Sequence, residues 1–170
     1  MTDKNVSIMN IGSMGYLPQV FKKIENEKKL NIVYLGGSIT MGCNATKTEL
    51  RYVDRSAKWW QTNFPDAEIS YFNAGIGATT SQFGVARVQE HVLDKQPDLV
   101  FVEFSVNDSS SPLFMETYES LVRRLLKAES VKAVVLINNL FYDTGTNAQG
   151  IHNAIGLHYD LPIVSVRNYI

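Results

Sequence analysis

Ser38 lies in Gly36-Gly37-Ser38-Ile39-Thr40, directly behind the apolar run Ile32-Val33-Tyr34-Leu35. The glycine pair lets the chain turn tightly and present both the serine hydroxyl and its backbone N–H, as a nucleophile attacking a carbonyl requires. A serine capping an ordinary strand-to-helix turn has the same local sequence, so the neighbours must decide. Asn107, in Ser105-Val106-Asn107-Asp108, carries an amide that could donate to a developing oxyanion, although Asn107-Asp108-Ser109 also reads as an Asx-type turn. A third segment, Asn73-Ala74-Gly75-Ile76-Gly77-Ala78-Thr79-Thr80, offers further backbone N–H groups. Two rival chemistries fail: no Gly-Lys-Ser/Thr follows for a phosphate loop, and Thr40 stands where a Gly-x-Ser-x-Gly elbow needs glycine.

A serine nucleophile needs a base. His152 and His158 fall in Ala148 to Tyr159, a helix-period segment ahead of the last apolar run, and are expected at the surface or in packing; His91 is expected on a solvated helix. Cys43 is the single cysteine, which excludes an internal disulfide and a thiolate zinc cluster, and only Lys47 is a basic neighbour that could activate it. Glu103 and Asp108 lie near the proposed crevice without a histidine cluster, so no metal and no cofactor is expected.

The elements that must hold these residues are short β-branched or aromatic runs alternating with helix-period segments. Ile32–Leu35, Ile69–Phe72, Leu99–Val102, Ala133–Ile137 and Ile163–Val166 read as five buried strands. Tyr118, Leu121, Val122 and Leu125 keep the i, i+3, i+4, i+7 spacing of an amphipathic helix, as do Val85, Val88 and Val92. Val20, Phe21 and Ile24 give Tyr16 to Lys29 an apolar side, so residues 1–29 read as an N-terminal helical extension. Trp59 and Trp60 are expected to fill the helix–sheet layer. Strands apolar on both faces and joined by helices predict an α/β fold: a three-layer α/β/α sandwich around a five-stranded parallel sheet of flavodoxin-like order 2-1-3-4-5. In that order the loops carrying Ser38, Gly77–Ala78 and Asn107 share one rim, where open sheets bind ligands.

The 170 residues are read as one domain, and 16 Lys plus Arg against 17 Asp plus Glu leave a net charge of −1. That balance supplies no basic field for nucleic acid or anionic lipid. The longest apolar runs fall far short of the roughly 20 residues a membrane helix needs, and Met1 to Asn10 lacks the pattern of a secretory signal. A cytoplasmic protein acting on a small or neutral substrate is expected.

Together, Gly36 to Thr40, Asn73 to Thr80 and Val106-Asn107-Asp108 resemble three sequence blocks of the SGNH (GDSL-like) serine ester hydrolases, with the Gly-Gly-Ser-Ile-Thr variant similar to carbohydrate acetylesterase-like members. The resemblance implies Ser38 as nucleophile, with its own N–H, the Ala78 N–H and the Asn107 side chain holding the oxyanion. It also implies that Gly37, Gly77 and Asp108 border the substrate, a small-molecule or carbohydrate ester. Gly37 stands for the motif's Asp, Ala78 for a glycine and Ser105 for another. An N–H donor at Ala78 is compatible with that change if φ is negative there. The family's Asp-x-x-His block has no counterpart, since Val88, Gln149 and Ile155 precede His91, His152 and His158 by three. The expected consequences are an absent catalytic loop and C-terminal helix, little esterase turnover, and self-association through uncovered apolar surface near the last strand. A non-catalytic ligand-binding module of the same fold is the alternative, and a flavodoxin-like phosphate or nucleotide binder a third.

Overall fold

Along the central strand the side chains alternate between two separate cores. The computed structural model describes residues 4–13 and 15–170, with nothing said of the side chains of Lys4 and Asn5. The first three residues of the expected N-terminal extension, and Met14, thus lie outside the described residues. The strands are β1 (Ile8–Asn10), β2 (Lys29–Gly36), β3 (Glu68–Gly75), β4 (Leu99–Glu103), β5 (Ala133–Asn138) and β6 (Ile163–Ser165). The helices are α1 (Leu17–Glu27), α2 (Ser38–Met41), α3 (Tyr52–Asn63), α4 (Ser81–His91), α5 (Pro112–Leu126) and α6 (Gln149–His158). Val33 and Leu35 of β2 face α4, α5 and α6 in one core, while Ile32 and Tyr34 face α1 and α3 in the other. Both faces of the sheet are therefore covered, as a parallel arrangement demands.

The sheet has six strands in the order β1-β6-β5-β4-β2-β3. It is mixed: β2 through β6 pair in parallel, whereas β1 runs antiparallel to β6 at the edge. This corrects the five-stranded, all-parallel expectation, which took the N-terminal segment as helical and missed β1. A second correction concerns β3, which is an edge strand with Tyr71 and Phe72 exposed rather than a buried one. Of the tryptophan pair, Trp60 is buried and Trp59 is half exposed, because neighbours on a helix point about 100° apart and cannot both face inward.

Helix starts follow local chemistry. Proline occupies the first turn of α1 and of α5, where its missing N–H costs nothing. In α5, Tyr118, Leu121, Val122 and Leu125 are all buried, which gives that spacing its expected inward stripe.

The register brings the functional loops level. Gly36 at the end of β2 pairs with Gly75 of β3 and with Glu103 of β4, so the chain leaves all three strands at one rim. A Cβ on Gly36 would lie 2.0 Å from Thr40 Oγ1, and one on Gly75 would lie 2.2 Å from the Met41 backbone nitrogen. Both positions need glycine so that α2 can sit directly on the strand ends. No helix among the described residues is long and apolar enough to cross a membrane.

Candidate active site

Gly37 is the N-cap of the short α2 and makes no side-chain cap, so Ser38 occupies the first helical position and is not the capping residue of the alternative reading. Its Oγ makes no hydrogen bond among the described residues, and the side chain is half-buried. The helix is held from below. Gly37 N–H donates to the Glu103 carbonyl at 3.3 Å and Ile76 N–H to the Gly36 carbonyl at 3.1 Å. Asn73 bridges the second loop to α2, its amide donating to the Thr40 carbonyl at 2.8 Å while its carbonyl oxygen accepts Gly75 N–H at 2.9 Å. Thr40, fully buried, meets the Tyr52 hydroxyl at 2.9 Å.

The three loops converge as their shared rim requires. A Cβ built on Gly37 would stand 3.3 Å from the Thr79 carbonyl oxygen and 3.4 Å from Asn107 Nδ2, which places the residue before Ser38 against both other segments. Asn107 Nδ2 donates one hydrogen to the Thr79 carbonyl at 2.9 Å. An amide carries two, so the second remains for another acceptor. Ala78 lies at φ 56, in the left-handed region, against the negative φ that an alanine there was expected to need. Its N–H has no backbone acceptor among the described residues, and Gly77 packs beside the Met41 side chain.

Asp108, expected beside a substrate, is instead buried with both carboxylate oxygens engaged. Oδ1 accepts the Ser81 N–H at 2.9 Å and Oδ2 lies 3.0 Å from His152 Nε2. Of the surface or packing role expected for it, His152 takes packing: it is fully buried and its ring stacks on Tyr118 at 3.6 Å between centroids. Burial pulls its pKa down, opposed by Asp108. His158 is exposed, and His91 Nδ1 contacts the Arg87 guanidinium at 3.2 Å. No histidine contact to Ser38 is formed among the described residues.

Two further groups were not foreseen. Arg87, buried in α4, donates to the Ala74 carbonyl at 2.7 Å and the Gly36 carbonyl at 3.0 Å, clamping the ends of β3 and β2 beneath the site. Burial alone lowers its pKa to about 10. Glu103 is buried at the end of β4, and desolvation pushes its carboxyl up to about 7; hydrogen bonds with Ser105 and Asn139 oppose that rise, and the charge of Asp108 adds to it. A sequence signal existed for His152, which shares the inward face of α6 with Ile155 and Gly156. A polar group on such a face needs a partner.

A serine hydroxyl with no hydrogen bond among the described residues, next in sequence to the Gly37 that approaches the Asn107 amide, suits acyl transfer. The model of the GDSL-like Lipase/Acylhydrolase family matches residues 34–160, the span that holds every residue just described. The chain belongs to the GDSL-like lipase/acylhydrolase family. This GDSL-like chain is 46% identical to a two-domain esterase active on acetylated mannans, at a TM-score of 0.96. The match covers 99% of this chain and 45% of that one, so the chain spans under half the length of that relative. An SGNH-hydrolase family esterase matches at 21% identity and a TM-score of 0.64, over 80% of this chain and 75% of that one. A catalytic mutant of an acetylxylan esterase from Geobacillus stearothermophilus matches at 19% and 0.63, over 79% and 74%. These last two likenesses speak to the fold alone. No curated protein matches the chain.

Proposed function

We propose that this chain is the nucleophile-bearing part of an esterase that removes acyl groups, namely acetyl groups on a mannan-like polysaccharide, through an acyl-Ser38 intermediate. The Ser38 Oγ would attack the ester carbonyl carbon as its proton passes to a base. The resulting oxyanion would sit between the Ser38 N–H, the Ala78 N–H and the second hydrogen of Asn107 Nδ2. Collapse expels the sugar hydroxyl with a proton, and water then releases the acid from Ser38. A side chain at Gly37 would press on Thr79 and Asn107, and one at Gly77 on Met41, so both glycines leave this rim uncrowded. The observation that carries this reading is the convergence of Gly37, Thr79 and Asn107 within van der Waals reach. The mannan-like substrate is taken from the 46% identical esterase.

The base is the open part of the mechanism. With His152 sequestered by Asp108, His91 against Arg87 and His158 exposed, the reading expects little turnover from these 170 residues unless a further segment or chain contributes a base. That same absence favours the second reading, a ligand-binding module that does not hydrolyse. Slow mass labelling by a fluorophosphonate, lost in Ser38→Ala, is the expected result for a serine without its base, and rapid labelling with turnover of an aryl acetate would mean that a base is supplied; a folded protein that neither labels nor cleaves would favour the binding module. We also propose self-association: Ile8 and Ile11 at β1, and Ile170, are exposed at 50%, 75% and 70%. A dilution series in light scattering that gives one unchanging monomer mass would refute it.

A further inference from the structure

The His152–Asp108 pair takes no part in the chemistry just described, yet both side chains are fully enclosed at 3.0 Å. Asp108 directly follows Asn107. Its other oxygen accepts the N–H of Ser81, two residues beyond Thr79, whose carbonyl holds the Asn107 amide. One carboxylate thus joins the segment that carries Asn107 to the segment that carries Ala78.

We propose that His152 is a positioning residue for the oxyanion donors: by donating Nε2–H to Asp108 it fixes the carboxylate that sets the spacing between Asn107 Nδ2 and the Ala78 N–H. The proposal rests on the reading of Asn107 and Ala78 as those donors. His152 Nδ1 has no hydrogen-bond partner among the described residues, whereas Nε2 faces Asp108, so the single proton of a neutral ring belongs on Nε2. The Tyr118 ring lies nearly parallel to the imidazole, at 6°, and covers one of its faces. The groups that face this pair are the Tyr118 ring from α5 and, from the end of β4, Glu103, whose charge bears on both Asp108 and Tyr118. All of them oppose neither a neutral imidazole nor its N–H, and burial disfavours the charged ring. His152 accordingly acts as a fixed donor and moves no proton during turnover. An apolar residue at that point of α6 would leave an Asp108 oxygen buried with no donor, and the carboxylate would be free to turn.

The test uses His152→Phe, which keeps the ring against Tyr118 without the donor, and His152→Gln, which restores a donor. Asn107→Ala and the His152→Phe/Asn107→Ala double variant complete the set. Fluorophosphonate labelling of Ser38 should slow about 100-fold in Asn107→Ala and about tenfold or more in His152→Phe, since small displacements of a catalytic group have effects of this order. His152→Gln should recover most of the loss, and the double variant should be no slower than Asn107→Ala alone, because His152 acts through Asn107. Wild-type labelling by folded His152→Phe, or a double variant slowed by the product of the two factors, overturns the proposal while leaving the oxyanion reading intact. Wild-type labelling by Asn107→Ala removes the oxyanion reading itself. A readout independent of the nucleophile comes from nuclear magnetic resonance: His152 nitrogen shifts should report a neutral Nε2–H ring at about pH 8, and Ser81 amide exchange should accelerate in His152→Phe. A charged ring or unchanged exchange also overturns the proposal.

Discussion

Ala78 adopts a backbone conformation that disfavours any residue with a Cβ by about 1–2 kcal/mol. The neighbours impose it, since Thr79 must direct its carbonyl at Asn107 while its hydroxyl donates to the Ile76 carbonyl at 2.7 Å. Ala78→Gly should therefore raise stability by about 0.5–1 kcal/mol, after allowance for the freer unfolded chain, which denaturant titration checks. Asn107→Asp should lower the labelling rate by about 10²–10³, because a carboxylate replaces a donor with a charge that repels the oxyanion. Ser38 and Asn107 were legible in the sequence as candidates because each follows closely on an apolar strand run. The Asp108–His152 contact was not, because its partners are 44 residues apart and no local spacing links them.

At the scale of elements, the buried strands were readable where both faces are covered. In β2 a near-continuous apolar run reports that directly. In β3 the same residue types mislead, since Tyr71 and Phe72 satisfy strand propensity at an edge without being buried. The three-residue β1 is too short to show any period, and only its pairing with β6 defines it. Arg87 illustrates a further limit: a charged residue on a helix is expected to face solvent, and its inward turn is explained only by the two strand-end carbonyls that receive it. Arg87→Lys cannot span both carbonyls with a planar fork and should cost about 1–3 kcal/mol. A thermal melt that is unaltered by this change would show the clamp to be dispensable.

For the molecule as a whole, Glu103 links stability to pH. Its carboxyl is held at about 7 in the folded state against 4.5 ordinarily, so the native chain binds the extra proton between those values. Its contribution is complete below about pH 4.5 and is lost as pH rises through about 7, by up to roughly 3 kcal/mol. Glu103→Gln should flatten that decline, which denaturation midpoints from pH 5 to about 8 would reveal. The sheet's edge carries a different consequence. Among the described residues β1 pairs only with β6, and Asn10 reaches Asp160 and Leu161 across about 150 residues of sequence. During synthesis at about 5–20 residues per second, β1 leaves the ribosome roughly 10–30 s before its partner exists. β1 is thus made well before the strand it pairs with, and until then Ile8 and Met9, exposed even in the finished fold, belong to an unpaired strand edge.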